Sequence, residues 1–185
     1  MNKPPSNDIL RFIRYEKDTG KLYWNARNTE DFNTTKYPAD KMRDSWNTKF
    51  ADKEAFTAVG SHGYHTGAIK GKLYLLHRVA WFIEEGYWPN IVDHINGIRT
   101  DNRWVNLREV TCRESSKNIG LRSNNKSGQH GVSWRKDTAK WTSRITNDGK
   151  VILLGDYEDL DKAIKVRKEA EVTYGYHKNH GRTIE

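Results

Sequence analysis

IVDHINGIRTDNRWVNLREVTCRESSKNIG, residues 91–120, is the stretch that decides how this chain folds. The β-branched pair at its start predicts a short strand that places Asp93 and His94 side by side at the strand end. Asn96-Gly97 favours the positive φ of a tight hairpin turn. After a polar loop, residues 106–110 can return as a second strand. The stretch therefore begins with a strand, a loop and a strand.

A short helix should follow this pair of strands. Thr111 stands three residues before Glu114, which is the spacing of a capping box, so a helix is predicted to begin there. Gly120 is placed to end the helix, because glycine readily adopts the left-handed conformation of a C-cap. The order is strand, loop, strand and helix, with Asp, His and Asn side chains gathered at one end.

That order and those residues resemble the phage-type subgroup of the HNH nuclease motif, the ββα-metal fold. Its pattern of Asp-His-Ile-Asn/Asp-Gly, Asp/Asn-Asn-Arg and Asn-Leu is matched at residues 93–97, 101–103 and 106–107. Phosphodiester cleavage needs a base for the attacking water and a cation for the charge that develops on the leaving oxygen. The resemblance implies that His94 is the general base, Asp93 a metal ligand, and Asn106 the residue that holds the loop and His94 in position.

The implied donor set suits a hard cation. A carboxylate, an amide and waters favour Mg²⁺ or Mn²⁺, one per active site, and no organic cofactor is expected. The motif spacing places the second protein ligand, usually Asn or His, at Ser115, whose hydroxyl is a weaker ligand. Asn118 lies three residues further along the same predicted helix face and is the alternative, with water as a third option.

Composition favours a polyanionic partner. The 185 residues carry a formal net charge of +8, with only 35% hydrophobic residues, so small modules with polar faces are expected. The single cysteine, Cys112, excludes a disulfide framework and a zinc-thiolate ribbon. We find no signal peptide or long apolar stretch, and we expect a soluble cytoplasmic protein, in the host cell if it is phage-encoded, without a membrane partner.

The first half of the chain reads as two hairpins. Residues 8–27 carry two aromatic-rich runs around a Gly-containing loop, and residues 63–76 should turn at Lys70-Gly71. Between the hairpins, residues 28–56 have no clean period. They predict a long loop with short helical pieces around Ala39 to Phe50.

A helix is predicted next, from His77 to Glu85, ended by Gly86. Its apolar residues fall on one face: Leu76, Val79, Ala80 and Ile83. A structural role is expected for His77, although it could face the site. We interpret the pairs His62/His65 and His177/His180 as surface histidines.

The last part of the chain predicts a small sheet and helix. Residues 121–129 indicate a polar linker, in which Arg122 and Lys126 could follow a phosphate backbone. From His130 the polarity alternates with period two through three antiparallel strands, with Trp134 on the apolar side, and Asp159 to Gly175 should form the covering helix. The helix residues predicted to cover the apolar face are Leu160, Ala163, Ile164, Val166 and Ala170.

This ending resembles the apetala-type DNA-binding domain of plant ethylene-response factors, which places its sheet in the major groove. By alternation, the side chains facing DNA would be Ser133, Arg135, Thr142, Arg144, Thr146 and Leu153. Arg135 and Arg144 are the best candidates for guanine or phosphate contacts. The plant pattern has Arg at Ser133 and Glu at Arg144, so its sequence preference does not transfer. The alternative is a generic module with a solvated basic face.

The expected fold class is α+β: N-terminal β-hairpins with a ββα-metal nuclease module, then a small three-stranded antiparallel sheet packed on one helix. The expected domains are residues 1–120 and 130–185, joined by 121–129. We expect a homing-type endonuclease that hydrolyses double-stranded DNA with a divalent metal and a histidine base. The main alternative is a DNA-binding regulator with a decayed nuclease site, and a third is an RNA-directed nuclease. Target sequence, nicking versus double-strand cleavage, and oligomeric state stay open.

Overall fold

The structure is a computed structural model that describes residues 7–33 and 35–183. Its helices and small antiparallel sheets confirm the α+β class. The chain folds as two compact units: Met1–His94 with Ile98–Glu109, and Ile95–Gly97 with Val110–Glu185. The chain passes from the first unit to the second after Glu109. The sequence instead predicted a boundary between the two modules at residues 121–129. Over the described ranges, the helices are too short or too polar to cross a bilayer.

The predicted N-terminal hairpin forms in the first unit. A single helical turn, α1 (Ile9–Phe12), precedes a three-stranded antiparallel sheet. The strands of this sheet are β1 (Ile13–Glu16), β2 (Lys21–Trp24) and β3 (Glu54–Ala55). Gly20, in the β1–β2 turn, has a φ of +73°. A Cβ at Gly20 would lie 2.4 Å from the backbone of Asn102, so only glycine allows this close approach.

Residues 28–56 are more regular than predicted. The expected helical pieces are one continuous helix, α2 (Ala39–Phe50). No residue of α2 is buried, which explains why no hydrophobic period was visible. Instead the helix is anchored by Trp46, whose ring lies edge-on to Trp24 at 5.9 Å and under the guanidinium of Arg27 at 4.1 Å.

The second predicted hairpin and the following helix are also confirmed. They comprise β4 (Ala58–Val59), β5 (His65–Ile69), β6 (Lys72–Leu75) and α3 (Leu76–Glu85). The hairpin turns at Lys70-Gly71, both with positive φ, and Gly86 caps α3 in the left-handed conformation. Along α3, Val79 and Ala80 have no exposed surface and pack into the core of the first unit.

The strands of the central motif are short. β7 (Val92–His94) pairs antiparallel with β8 (Leu107–Glu109), and a 3₁₀ turn at Trp104–Asn106 precedes β8. In the second unit, α4 (Cys112–Ser116) begins as predicted, with the reciprocal capping box between Thr111 and Glu114. The predicted end at Gly120 is wrong, because the helix ends at Ser116 and Lys117 is its C-cap.

The predicted sheet and helix form the rest of the second unit. The strands are β9 (Val132–Arg135), β10 (Lys140–Asn147) and β11 (Lys150–Tyr157), with β10 in the centre, and α5 (Leu160–Thr173) packs against the sheet. The side chain of Asp159 caps α5 by accepting from the backbone of Asp161. Ala163 and Ala170 are buried as predicted, whereas the buried Arg167 was missed.

The strict alternation predicted for this sheet breaks in β10. A β-bulge lies between Ser143 and Arg144, and both Thr142 and Ser143 are fully buried. Thr142 was predicted to face DNA. Its hydroxyl instead donates to the Asp156 carboxylate, and the side chain has no exposed surface. Trp134, predicted on the apolar side, is 46% exposed.

Two histidines predicted to lie on the surface are packed. The side chain of His180 is only 4% exposed, with its ring 4.8 Å from that of His130 and 4.7 Å from that of Tyr176. Burial, and then the charges of His130 and Arg167, lower the pKa of His180 to about 4. His65 is half-buried, and its Nδ1 lies 3.3 Å from the amide nitrogen of Asn102.

The segment after α5 returns to residues 95–97 within the second unit. Asn179 Nδ2 donates to the Ile95 carbonyl oxygen at 2.8 Å. The Arg182 guanidinium donates to the backbone oxygen of Asn118 at 2.8 Å and lies against Gly97, where a Cβ would meet it at 1.7 Å. Gly97 of the predicted Asn96-Gly97 turn is favoured by its φ of +76°, and any Cβ there would also displace the guanidinium of Arg182.

Candidate functional site

Strand pairing between β7 and β8 positions the first candidate ligand. Asp93 is directly opposite Arg108, and the guanidinium donates to Asp93 Oδ2 at 2.8 and 3.1 Å. The Asp93 side chain is 14% exposed. Two nitrogens of one guanidinium thus donate to the same carboxylate oxygen, which holds the carboxylate in a fixed orientation. Asp93 is therefore a preorganised anionic oxygen donor at the end of a strand.

A buried asparagine holds the imidazole of His94. His94 Nε2 lies 3.1 Å from Asn102 Oδ1, and Asn102 Nδ2 donates to the Thr100 carbonyl oxygen at 3.1 Å. Because a carbonyl only accepts, the Thr100 contact fixes which end of the amide is nitrogen, and His94 Nε2 must then carry the proton. In the neutral ring, Nδ1 holds the lone pair. Nδ1 is therefore the atom of this imidazole that can accept a proton.

The surroundings of His94 favour the neutral ring. His94 is 3% exposed, and burial is the largest cause that lowers its pKa. The hydrogen bond with Asn102 and the charges of Asp93 and Asp101 oppose that shift. His77 lies edge-on to His94, with 5.0 Å between the ring centroids. Burial, with smaller contributions from His94 and Arg78, lowers the pKa of His77 to about 3. Both rings are therefore uncharged at neutral pH.

The loop that carries Asn102 is fastened at several points in the first unit. Asn106 Nδ2 donates to the Asp101 carbonyl oxygen at 2.7 Å, and the Tyr15 hydroxyl donates to the Asn102 carbonyl oxygen at 2.6 Å. The backbone N–H of Trp104 donates to the Lys17 carbonyl oxygen at 3.0 Å. The N-terminal hairpin thus supports the loop that holds His94.

The other two candidate ligands lie in the second unit. Ser115 is half-buried on α4. Asn118 is 3% exposed, its Oδ1 accepts from Arg182 at 3.1 Å, and its Nδ2 lies 3.4 Å from the Ile95 carbonyl oxygen. Both ends of the Asn118 side-chain amide therefore already have hydrogen-bond partners within the second unit. Within the described ranges, no group of three or more His, Cys, Asp or Glu side chains could hold a metal ion.

The candidate DNA contacts fall into two groups. On the sheet, Arg144 is exposed, whereas Arg135 forms an ion pair with Asp137. The smaller or apolar candidates on the same sheet that are exposed are Ser133, Thr146 and Leu153. In the segment before the sheet, Arg122 and Lys126 are exposed and form no ion pair within the described part of the chain.

Asn102 is the main site residue that sequence reasoning did not single out. The signal was present, because Asn102 lies in the Asp-Asn-Arg part of the matched pattern. Only 2% of its surface is exposed, which is unusual for asparagine and marks a residue with specific partners. No local signal identified Tyr15 or Arg182, whose partners lie 87 and 64 residues away in the chain.

Comparison with known proteins agrees with the central motif. Residues 74–117 match the family model described as HNH endonuclease. The chain is also similar to "Protein 3.8" of Escherichia phage T7, with 35% identity over 68 residues. That alignment covers 37% of this chain and 54% of the phage protein, so the chain spans about half the length of that relative. No solved structure matches the chain significantly.

Proposed function

We propose that this chain is a metal-dependent DNA endonuclease whose general base is His94. The observation that carries the proposal is the pair of hydrogen bonds that orders Asn102 and puts the lone pair of His94 on Nδ1. That pair occurs next to the Asp93 carboxylate, inside the segment that matches the HNH endonuclease model. A buried neutral imidazole beside a fixed carboxylate suits water activation and metal binding.

The proposed reaction is hydrolysis of a DNA phosphodiester. His94 Nδ1 takes a proton from water as the water oxygen attacks phosphorus, and the P–O bond to the leaving oxygen breaks. Asp93 would hold a Mg²⁺ or Mn²⁺ ion, which would supply stabilisation of the charge on that leaving oxygen. Asp93 fits as a ligand because its carboxylate is a hard donor already held in one orientation by Arg108. Asn102 keeps the ring turned so that Nδ1 presents its lone pair.

Double-stranded DNA is the proposed substrate. Within the endonucleases, we propose more specifically an enzyme of the homing type. The resemblance of the motif to phage-type enzymes supports it, as does the basic sheet face, where Arg144 is exposed. The net charge of +8 favours a polyanion.

A DNA-binding regulator is the second candidate. It is favoured by Ser115 standing where the motif usually has Asn or His, and by the engagement of the Asn118 amide with Arg182.

A plasmid assay distinguishes the two functions. We expect supercoiled DNA to become nicked or linear with Mg²⁺ or Mn²⁺ and to stay intact with EDTA. Binding without conversion in any metal would support the regulator and contradict the enzyme. The same gel separates nicked from linear product, so it also reports whether one strand or both are cut.

We predict that Asn102→Ala lowers kcat by about 10²-fold, the effect of misplacing a catalytic group by roughly 1 Å. KM should change little, because Asn102 acts through His94 rather than on DNA. The variant should also lose stability, since each buried polar group left unpaired costs about 1–3 kcal/mol. Steady-state cleavage and urea unfolding measure the two effects.

Val79→Ala is the matched control for Asn102→Ala. Val79 is fully buried in α3, so its truncation destabilises the same unit without removing a hydrogen bond to His94. It should keep the wild-type kcat below its unfolding transition. Equal kcat losses in the two variants would mean that Asn102 has only a structural role.

We predict that Ser115→Asn raises the cleavage rate at low Mg²⁺ by about tenfold, equivalent to ~1.4 kcal/mol of metal binding. An amide oxygen is a better ligand than a hydroxyl, and Ser115 is the penultimate residue of the five-residue helix α4, where the lower helix propensity of asparagine has little effect. The measurement is cleavage rate against Mg²⁺ concentration for wild type, Ser115→Asn, Asn118→Ala and the double variant. No change with Ser115→Asn, together with abolished cleavage in Asn118→Ala, would assign the ligand to Asn118.

A further inference from the structure

A groove beside the sheet of the second unit has the chemistry of a nucleobase site. Its volume is about 610 Å³, and Trp134 and Trp141 line it together with basic and amide side chains. Trp134 is 46% exposed, which leaves much of its indole surface open. A large aromatic ring in a concave, partly open site offers a planar apolar contact area.

The walls of this groove are fixed before anything binds. Trp134 and Trp141 are directly opposite in β9 and β10, with 5.2 Å between ring centroids at 63°. The segment forming the other wall is tied to β9 by the buried Ser127, whose Oγ lies 2.7 Å from the Val132 carbonyl oxygen. A preorganised groove loses little conformational entropy when it binds a ligand.

The charge of the groove selects an anion. Arg122, Lys126 and Lys136 line it and are exposed, and they form no ion pair with any described residue. Arg135, the residue that follows Trp134 in β9, by contrast forms an ion pair with Asp137. Unpaired cations beside an aromatic ring match a chain of bases and phosphates.

We propose that this groove binds single-stranded DNA, with one unpaired base stacked on Trp134 and the flanking phosphates on Arg122, Lys126 and Lys136. The bases of a duplex are already stacked on each other, so an indole inside a groove can take only a base that is unpaired. The inference rests on the proposed function for the choice of DNA. It adds to the proposed duplex binding a second binding site, in this groove, for an unpaired segment of the DNA.

The test compares three labelled DNAs of about 12 nucleotides, a length within the usual site size of a small binding domain. These are oligothymidine, an abasic oligonucleotide of the same length, and a duplex, titrated by fluorescence anisotropy with the full chain in EDTA. Wild type should bind oligothymidine about 5- to 150-fold more tightly than abasic DNA, the range for one stacked base. Trp134→Ala should remove that difference, and Trp134→Phe should retain most of it.

Val172→Ala is the control, because Val172 is an 82% exposed apolar residue on α5 of the same unit. It should bind all three DNAs as wild type does, and Trp134→Ala should leave duplex affinity within about twofold. Equal wild-type affinity for thymidine and abasic DNA would overturn the proposal without needing any variant to fold. So would an equal loss of duplex and single-strand binding in Trp134→Ala. Because EDTA prevents cleavage, the outcome is independent of whether the chain proves to be a nuclease.

Discussion

His94→Ala should lower the rate of DNA cleavage by about 10²- to 10⁴-fold, the usual contribution of a general base. In the proposed mechanism the lone pair on His94 Nδ1 accepts the proton of the attacking water, since Nε2 is engaged by Asn102. DNA affinity in EDTA should stay within about twofold of wild type, because an imidazole that is 3% exposed offers little surface to DNA. Plasmid cleavage and anisotropy measure the two quantities on the same preparation.

The matched control is His62→Ala. His62 is an exposed histidine in the same unit, and Arg99 contacts only its backbone carbonyl. It should cut at the wild-type rate. A His94→Ala variant that cuts at wild-type speed with Mg²⁺ present would remove His94 from the mechanism, and the regulator would become the better assignment.

Asp93→Asn should lower the cleavage rate by at least ~10²-fold at every Mg²⁺ concentration, since a catalytic metal supplies several kcal/mol of charge stabilisation. The substitution keeps the size of the side chain but removes the anionic oxygen donor. Extra metal should restore little activity, because the neutral amide is also a poorer partner for the guanidinium of Arg108. Isothermal titration with Mn²⁺ gives a direct reading of the lost metal affinity.

Asp101→Asn is the appropriate control for Asp93→Asn. Asp101 has the same 14% side-chain exposure and is also paired with an arginine, Arg103, yet it is not a proposed ligand. It should bind Mn²⁺ as wild type does and lose only a small part of the cleavage rate. If both variants lose metal affinity equally, the effect is one of local charge, and Asp93 is not a specific ligand.

Local patterns predicted most of the secondary structure. The hairpins, α3, the capping box at Thr111 and the last three strands each depend on residues close in sequence, such as Gly71 in its turn and Gly86 at its cap. The sequence did not predict α2 as one continuous helix, because Trp46 anchors it and it has no face of buried apolar residues. Thr142 was misplaced, since a bulge and a hydrogen bond to Asp156 cannot be read from alternation.

The residue types of the candidate site could be predicted from the sequence. The distant residues that hold them in position could not. The matched motif identified Asp93 and His94 from contiguous residues. The role of Asn102 depends on Tyr15 and on the close approach of Gly20, which are contributed by a hairpin more than 80 residues earlier in the chain. Such contacts have no sequence period, because they arise only when distant segments pack.

The contact of the segment after α5 with residues 95–97 delays the completion of this turn during protein synthesis. Ile95 and its partner Asn179 are 84 residues apart. At about 5–20 residues per second, a ribosome needs roughly 4–17 seconds to add the second after the first. During that interval the turn that follows His94 lacks its partners Asn179 and Arg182. A nascent chain therefore completes the surroundings of this turn only after Arg182 has been added, 85 residues after Gly97.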